Sequence, residues 1–67
     1  MLNRIKELRK NKEMSQEELA NVCEVSRQTI NAIENNKYDP SLMLAFQLAE
    51  NLGASVDELF LYKKREG

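Results

Sequence analysis

The sequence predicts an all-α fold of five short helices, and three observations support this prediction. Apolar residues recur three and four positions apart along most of the 67-residue chain, which is the spacing of one helix face. Serines stand where helices would begin, and Ser15 and Ser55 are each followed three residues later by a glutamate, as in a capping box. Pro40 and Gly53, which interrupt or end helices, separate the apolar segments.

Each helix is predicted from its start signal and its apolar stripe. The predicted bounds are about 2–11, 16–23, 27–35, 42–52 and 55–61 for helices 1 to 5. Helix 1 carries Leu2, Ile5 and Leu8 on one face. The core stripe expected for helix 4 is Leu42, Ala45, Leu48, Ala49 and Leu52.

Length and composition restrict the kind of protein this can be. A chain of 67 residues makes one domain, over residues 1–67, and buries only about 60% of the surface that its unfolded form exposes. With one cysteine and no histidine, neither an internal disulfide nor a cysteine–histidine metal site is expected. We expect no cofactor and no enzymatic activity, because a nucleophile–base pair and a glycine-rich phosphate loop are also missing from the sequence.

Location is predicted from what the sequence does not contain. It begins at Met1 without a signal-peptide pattern, and it has no apolar run near the roughly 18 residues of a membrane helix. Cys23 suits a reducing compartment, and its place on an apolar stripe predicts a buried small hydrophobe. We therefore expect a cytoplasmic protein that does not contact a membrane.

Residues 14–37 suit a helix-turn-helix motif, in which two helices of under three turns are joined at Glu24 and Val25. If Ile30 and Ile33 point inward, the helical repeat places a polar set on the outer face of helix 3. This set is Arg27, Gln28, Asn31, Ala32 and Asn35. Arginine can bind guanine, the amides can bind adenine, and alanine can contact a thymine methyl. A polar helix face without a partner is the alternative interpretation.

The charge pattern has to be weighed against DNA binding. The net charge is −1, whereas a nucleic-acid-binding domain is usually basic. Residues 1–12 nevertheless carry five basic side chains and one acid, and residues 13–24 carry four acids and no base. Screening acts over roughly 8 Å in physiological salt, so a ligand responds mainly to the local surface. One face can thus be basic while the other is acidic.

Phosphate contacts are predicted at two places beside helix 3. Gln16 stands at the start of helix 2, where unpaired amides and the helix dipole favour an anion. Asn36, Lys37 and Tyr38, in the loop after helix 3, carry groups that can donate to phosphates. An ordinary helix start and an ordinary loop are the alternatives.

The chain resembles the Cro/C1-type helix-turn-helix family, the xenobiotic-response-element family of small repressors. The resemblance rests on the segments IKELRK, MSQEELA, VSRQTINAIENNKYDPSL and LAENLGASVDELF, which together cover nearly the whole chain. It implies a five-helix lambda-repressor-like domain with the helix-turn-helix at about 15–36. It further implies a transcriptional regulator, expected to be a repressor, that binds double-stranded DNA as a homodimer on a palindromic operator.

The resemblance also implies roles for individual residues. Base-reading positions fall on Arg27 and Gln28 and, one turn later, on Ala32. Phosphate contacts fall on Gln16, Asn36 and Lys37, with Ser26 and Thr29 alongside the reading positions. The family pairs an arginine late in helix 1 with a glutamate late in helix 3, here Arg9 and Glu34. Glu24 departs from the pattern, because the family often has glycine in the turn. A left-handed conformation at Glu24 would lower the stability of the fold by about 1–2 kcal/mol.

Apolar residues beyond the expected core predict a partner surface. Met43 and Phe46 lie on a second face of helix 4, and Phe60, Leu61 and Tyr62 form an aromatic and aliphatic cluster near the end of the chain. The polar tail is assigned to residues 62–67, so it begins at the last member of this cluster. A self-complementary dimer surface is one interpretation. In another, Phe46 and Phe60 pack inside the monomer, and residues 60–62 can also pair as a short strand. A protein-interaction module, similar to an antitoxin, is the alternative to a DNA-binding repressor.

Overall fold

A computed structural model of the chain describes residues 1–61, which form five helices and a short two-stranded antiparallel sheet. In chain order, the elements are β1 (Leu2–Asn3), α1 (Ile5–Asn11), α2 (Gln16–Val22), α3 (Arg27–Glu34), α4 (Leu42–Leu52), α5 (Val56–Leu59) and β2 (Phe60–Leu61). The prediction of five helices is confirmed. The bounds of the first and last helices are wrong, because both end segments of the described chain are extended rather than helical.

The serines begin the helices as predicted. The hydroxyl oxygen of each accepts a hydrogen bond from the amide three residues on, at Ser15, Ser26, Ser41 and Ser55. At α2 and α5 the glutamate carboxylate also accepts from the serine amide, so both capping boxes are complete. These hydrogen bonds lower the pKa of Glu18 and of Glu58.

Four helices end in the same way, with a left-handed residue just past the helix. The φ angles are 55° at Glu13, 57° at Glu24, 61° at Asn36 and 68° at Gly53. In each case the residue after the left-handed one donates its backbone amide to the carbonyl of the residue five positions before it, over 2.9–3.0 Å. This is the hydrogen bond of a Schellman motif. Glu24 is therefore left-handed, and the turn keeps the geometry that glycine would give it.

The extended ends of the described chain pair with one another. Leu2 lies opposite Leu61 and Asn3 opposite Phe60, and the amide of Arg4 donates to the carbonyl of Leu59 over 2.8 Å. Residues 2–4 are thus not part of helix 1 as predicted, and Leu2 is 53% exposed instead of packed. Residues 60 and 61 adopt the short strand that was the alternative to a longer helix 5.

The core lies where all five helices meet. Its fully buried members include Ile5, Leu19, Ile30, Ile33, Leu48 and Leu59. Cys23 is buried as predicted, and burial raises the pKa of its thiol. Leu42 was wrongly placed in the core, since it is 70% exposed, and Leu44 is buried instead. Leu42 shares a helix face with Ala45 and Ala49, but it stands in the first turn of α4, where a groove remains open.

Substitutions at Glu24 test the left-handed turn. Because a Cβ is unfavourable at φ 57°, we expect Glu24→Gly to be more stable than Glu24→Ala by about 1 kcal/mol, measured by urea unfolding. Both variants remove the same charge, so their difference isolates the backbone effect. The same two substitutions at Glu17, an exposed helical position, should give the opposite order, with alanine favoured by about 1 kcal/mol. Equal stabilities at position 24 contradict the left-handed turn.

Candidate nucleic-acid interface

The outer face of α3 is polar and open. Ile30 and Ile33 are 0% and 1% exposed, so they fix which side of the helix packs against the core. On the opposite side Arg27, Gln28 and Asn31 are exposed. Ala32 is half-buried at the edge of this surface. The arrangement leaves a guanidinium and two amides directed away from the protein, in the order that the helical repeat predicts.

One acid belongs to α3, and the fold withdraws it from this surface. The Glu34 side chain is 2% exposed, and Arg9 of α1 binds it with two hydrogen bonds. The Arg9 Nε donates to Glu34 Oε2 over 2.8 Å and the Arg9 Nη2 donates to Glu34 Oε1 over 3.2 Å. The remaining nitrogen, Nη1, donates to the carbonyl of Met14 over 2.8 Å. The exposed side of α3 therefore carries no carboxylate.

Gln16 takes part in the same cluster. Its Nε2 donates to Glu34 Oε1 over 3.1 Å, and the residue is half-buried. The sequence predicts a free amide at the start of α2, but one of its hydrogens is already used inside the protein. The second amide hydrogen and the carbonyl oxygen are left for a ligand. Sequence reasoning missed this contact, because Gln16 and Glu34 are far apart in the chain.

At the start of α3, hydroxyl groups are engaged in the helix cap. Ser26 Oγ accepts from the Thr29 amide over 3.1 Å, and the two hydroxyls share a hydrogen bond of 2.9 Å. At the other end, Asn35 Nδ2 donates to Asn31 Oδ1 over 3.2 Å, a contact in which the Asn31 amide hydrogens take no part. Both ends of the exposed face are thus ordered by contacts within α3 and its cap.

The loop after α3 carries three polar residues, next in the chain to the exposed outer side of that helix. Asn36, Lys37 and Tyr38 are all exposed, and the amide of Lys37 donates to the Ala32 carbonyl over 2.9 Å. Because this bond closes the end of α3, the loop leaves the helix in a fixed direction. Gln16 stands at the start of α2, and this loop follows the end of α3.

The turn between α2 and α3 allows the two helices to pack closely. Ala20 is 2% exposed, and its small side chain lets the helices approach. The Val25 amide donates to the Ala20 carbonyl over 3.0 Å. Two short helices joined by a tight turn, with the second one polar and open on its outer side, make up a helix-turn-helix.

The profile of the family described as helix-turn-helix matches residues 5–59, which is most of the chain. This chain belongs to the Cro/C1-type helix-turn-helix family. Its members are DNA-binding transcriptional regulators and not enzymes. The helix-turn-helix of this regulator is α2 and α3, as predicted from the sequence.

Relatives of this Cro/C1-type regulator are found in archaea and bacteria. A protein of Methanocaldococcus jannaschii, named an uncharacterized HTH-type transcriptional regulator, is 47% identical over 66 residues. The match covers 98% of this chain and 100% of that protein. The HTH-type transcriptional regulator YgzD of Bacillus subtilis is 40% identical over 60 residues, covering 90% of this chain and 91% of YgzD.

A solved structure with a similar fold is that of the restriction-modification controller protein C.AhdI from Aeromonas hydrophila. It superposes with a TM-score of 0.78 at 35% identity, covering 85% of this chain and 86% of C.AhdI. The structure of SinR, the master regulator for biofilm formation, in complex with DNA has a TM-score of 0.72, also at 35% identity. That match covers 79% of this chain and 86% of the SinR chain.

The predicted partner surface of this regulator needs a correction. Met43, Phe46 and Leu61 are exposed, at 73%, 57% and 47%. Phe60 is 8% exposed and belongs to the core, because strand alternation turns it inward when Leu61 points outward. Tyr62 and the polar tail lie outside the described residues. In the described part of the chain, no helix is long and apolar enough to cross a membrane.

Arg9→Ala tests how strongly the ion pair holds α3. Because the substitution leaves the Glu34 carboxylate buried without its partner, we expect a loss of about 3–5 kcal/mol in the free energy of unfolding. The control is Arg4→Ala, which breaks an exposed pair with Glu7 and should cost no more than about 1 kcal/mol. Urea denaturation measures both. Similar losses for the two variants mean that the buried pair does not anchor the helix.

Proposed function

We propose that this protein is a transcriptional repressor that binds a palindromic operator as a homodimer, with α3 in the major groove. The observation that carries the proposal is the exposed face of α3, where amides and an arginine face outward and the helix's acid is buried against Arg9. A helix surface that is merely solvated usually mixes glutamate and lysine, whereas a groove-binding surface is favoured by having few carboxylates, because the DNA phosphates repel them. A repressor of this kind acts by occupying promoter DNA.

Base recognition is assigned to the exposed residues of α3. Arg27 can bind guanine O6 and N7 with two hydrogen bonds, and Gln28 and Asn31 can bind adenine N6 and N7 in the same way. Ala32, at the edge of the surface, offers a methyl group to a thymine methyl. Asn31 Oδ1 already accepts one hydrogen bond from Asn35, and its second lone pair is left to accept from a base.

Backbone recognition is assigned to the residues on either side of α3. Gln16 retains one amide hydrogen, and Asn36, Lys37 and Tyr38 are exposed in the loop. The hydroxyls of Ser26 and Thr29 stand at the N-terminal end of α3, where one of them can donate to a phosphate. With few cations on this surface and a net charge of −1, we expect modest non-specific affinity and a shallow salt dependence.

The homodimer is proposed from the apolar surface that the monomer leaves open. Leu42, Met43 and Phe46 are all more than half exposed on the first turns of α4. Beside them is a groove of about 290 Å³, lined by Met1, Asp39, Pro40, Leu42, Ala45, Val56 and Phe60. Exposed patches of this kind mark interaction sites, and a two-fold axis lets one patch bury itself against its copy. A different protein is the alternative occupant of this surface. We also assign the regulator to the cytoplasm and give it no cofactor.

Selection of bound sequences from a random DNA pool tests operator recognition. We expect a palindromic motif whose two half-sites are one helical turn apart. Gln28→Ala should reduce discrimination at one base pair by about 1–3 kcal/mol while leaving non-specific affinity nearly unchanged. Lys37→Ala should weaken binding to all sequences and lower the salt slope by about one.

Lys12→Ala serves as the control for Lys37→Ala, because Lys12 follows α1 and its ammonium lies beside Gly53, at the C-terminal end of α4. It removes the same charge and should leave the salt slope nearly unchanged. If no duplex is bound in a salt-dependent way, the repressor assignment fails and the protein-interaction alternative is favoured.

Equilibrium sedimentation tests the homodimer. We expect a dimer at tens of micromolar for the unmodified chain and a monomer for Phe46→Glu, because the new charge would be buried in the interface. Val22→Glu places the same charge on α2, at a valine that is 50% exposed, and should remain dimeric. A chain that is monomeric throughout this concentration range removes the homodimer from the proposal.

A further inference from the structure

We infer that Asn3, in β1, is a positioning residue for DNA binding: it holds the loop after α3, and with it Lys37, against the phosphate backbone. The inference rests on the proposed function, because it concerns the same DNA surface. Asn3 itself is not among the residues expected to touch DNA. It lies in the N-terminal strand and reaches the loop with its side chain.

The Asn3 side chain connects the start of α1 with the end of α3. Its Oδ1 accepts from the Ile5 amide over 3.1 Å, and its Nδ2 donates to the Ile33 carbonyl over 2.8 Å. The same Nδ2 lies 3.3 Å from Asn36 Oδ1. Because the Ile5 amide can only donate and the Ile33 carbonyl can only accept, these two partners fix which side of the Asn3 side-chain amide faces each of them. An ionised aspartate could accept from the Ile5 amide but could not donate to the Ile33 carbonyl.

Within residues 1–61, few other contacts hold the loop. Residues 35–39 are exposed, so none of their side chains is held in the core. The helix-end bonds fix the first part of the loop to α3, where Asn36 N donates to Ile33 O and Lys37 N donates to Ala32 O. Further along, the Met1 ammonium binds Asp39 Oδ1 over 2.8 Å, although both groups are largely exposed. The N-terminal segment therefore holds the loop at two points.

The N-terminal segment is in turn anchored to the rest of the fold. β1 pairs with β2, and β2 follows α5 directly, with Phe60 packed in the core. Asn3 thus links the loop, whose own side chains are exposed, to a strand that is anchored to the core. The loop carries the cation Lys37 next to α3, and a cation contributes to phosphate binding only when it is held within reach of the duplex.

Asn3→Asp tests this inference. The carboxylate keeps the acceptor for the Ile5 amide but loses the donor, and it places an oxygen against the Ile33 carbonyl and Asn36 Oδ1. We expect operator affinity to fall about fivefold, the effect of losing one hydrogen bond, and the salt slope to fall by about one, as for Lys37→Ala. In the Lys37→Ala background, the same substitution should change affinity by less than about twofold, because two residues that act through one contact are not additive.

Two further variants control for charge and folding. Asn11→Asp adds the same charge at the exposed end of α1 and should leave the salt slope unchanged. Asn3→Ala removes the donor without adding a charge and should reproduce the coupling to Lys37. Affinities are corrected for the folded fraction, measured by circular dichroism at the same temperature.

The outcomes separate this inference from the proposed function. If the unmodified chain binds its operator and both Asn3 variants bind equally well after correction, the inference is overturned while the proposed function stands. Losses that add in full to that of Lys37→Ala overturn it as well. If the unmodified chain binds no duplex in a salt-dependent way, the proposed function fails first.

Discussion

The buried pair of Arg9 and Glu34 is the contact on which the rest of the interface depends. The guanidinium uses three nitrogens, two on the Glu34 carboxylate and one on the Met14 carbonyl, and Gln16 completes the cluster. This cluster therefore joins α1, the loop before α2, the start of α2 and the end of α3. The planar fork of arginine suits this arrangement, since a lysine could not make the same set of bonds at fixed angles. The same contact removes the acid of α3 from the exposed side of that helix.

Local signals account for most of what could be predicted. The serine caps depend on side chains within three residues, and the inward direction of α3 follows from Ile30 and Ile33 in one helical turn. The exposure of Arg27, Gln28 and Asn31 follows from the same repeat. The left-handed Glu13 could not be predicted, because glutamate has no preference for that conformation and the Schellman bonds of α1 stabilise it only once the helix has formed.

Contacts between distant segments account for what was missed. The pairing of Leu2 with Leu61 joins residues at opposite ends of the described chain, and an apolar residue at position 2 fits a helix face equally well. Phe60 points inward only because β2 fixes its alternation, and Leu42 is exposed because none of the described residues covers the first turn of α4. The bond from Gln16 to Glu34 likewise requires the packing of α3 against α2.

The two-stranded sheet connects the surface proposed to bind DNA with the apolar surface proposed for the dimer. Successive residues of β1 point to opposite sides, so Leu2 is exposed opposite Leu61 while Asn3 turns toward the end of α3. Met1, which precedes β1, binds Asp39 in the loop and also lines the groove beside Leu42. A second copy that covers this groove would therefore pack against the segment that holds the loop. Because coupling between two sites is reciprocal, any change that dimer formation makes in operator affinity would be matched by an equal change that operator binding makes in dimer affinity.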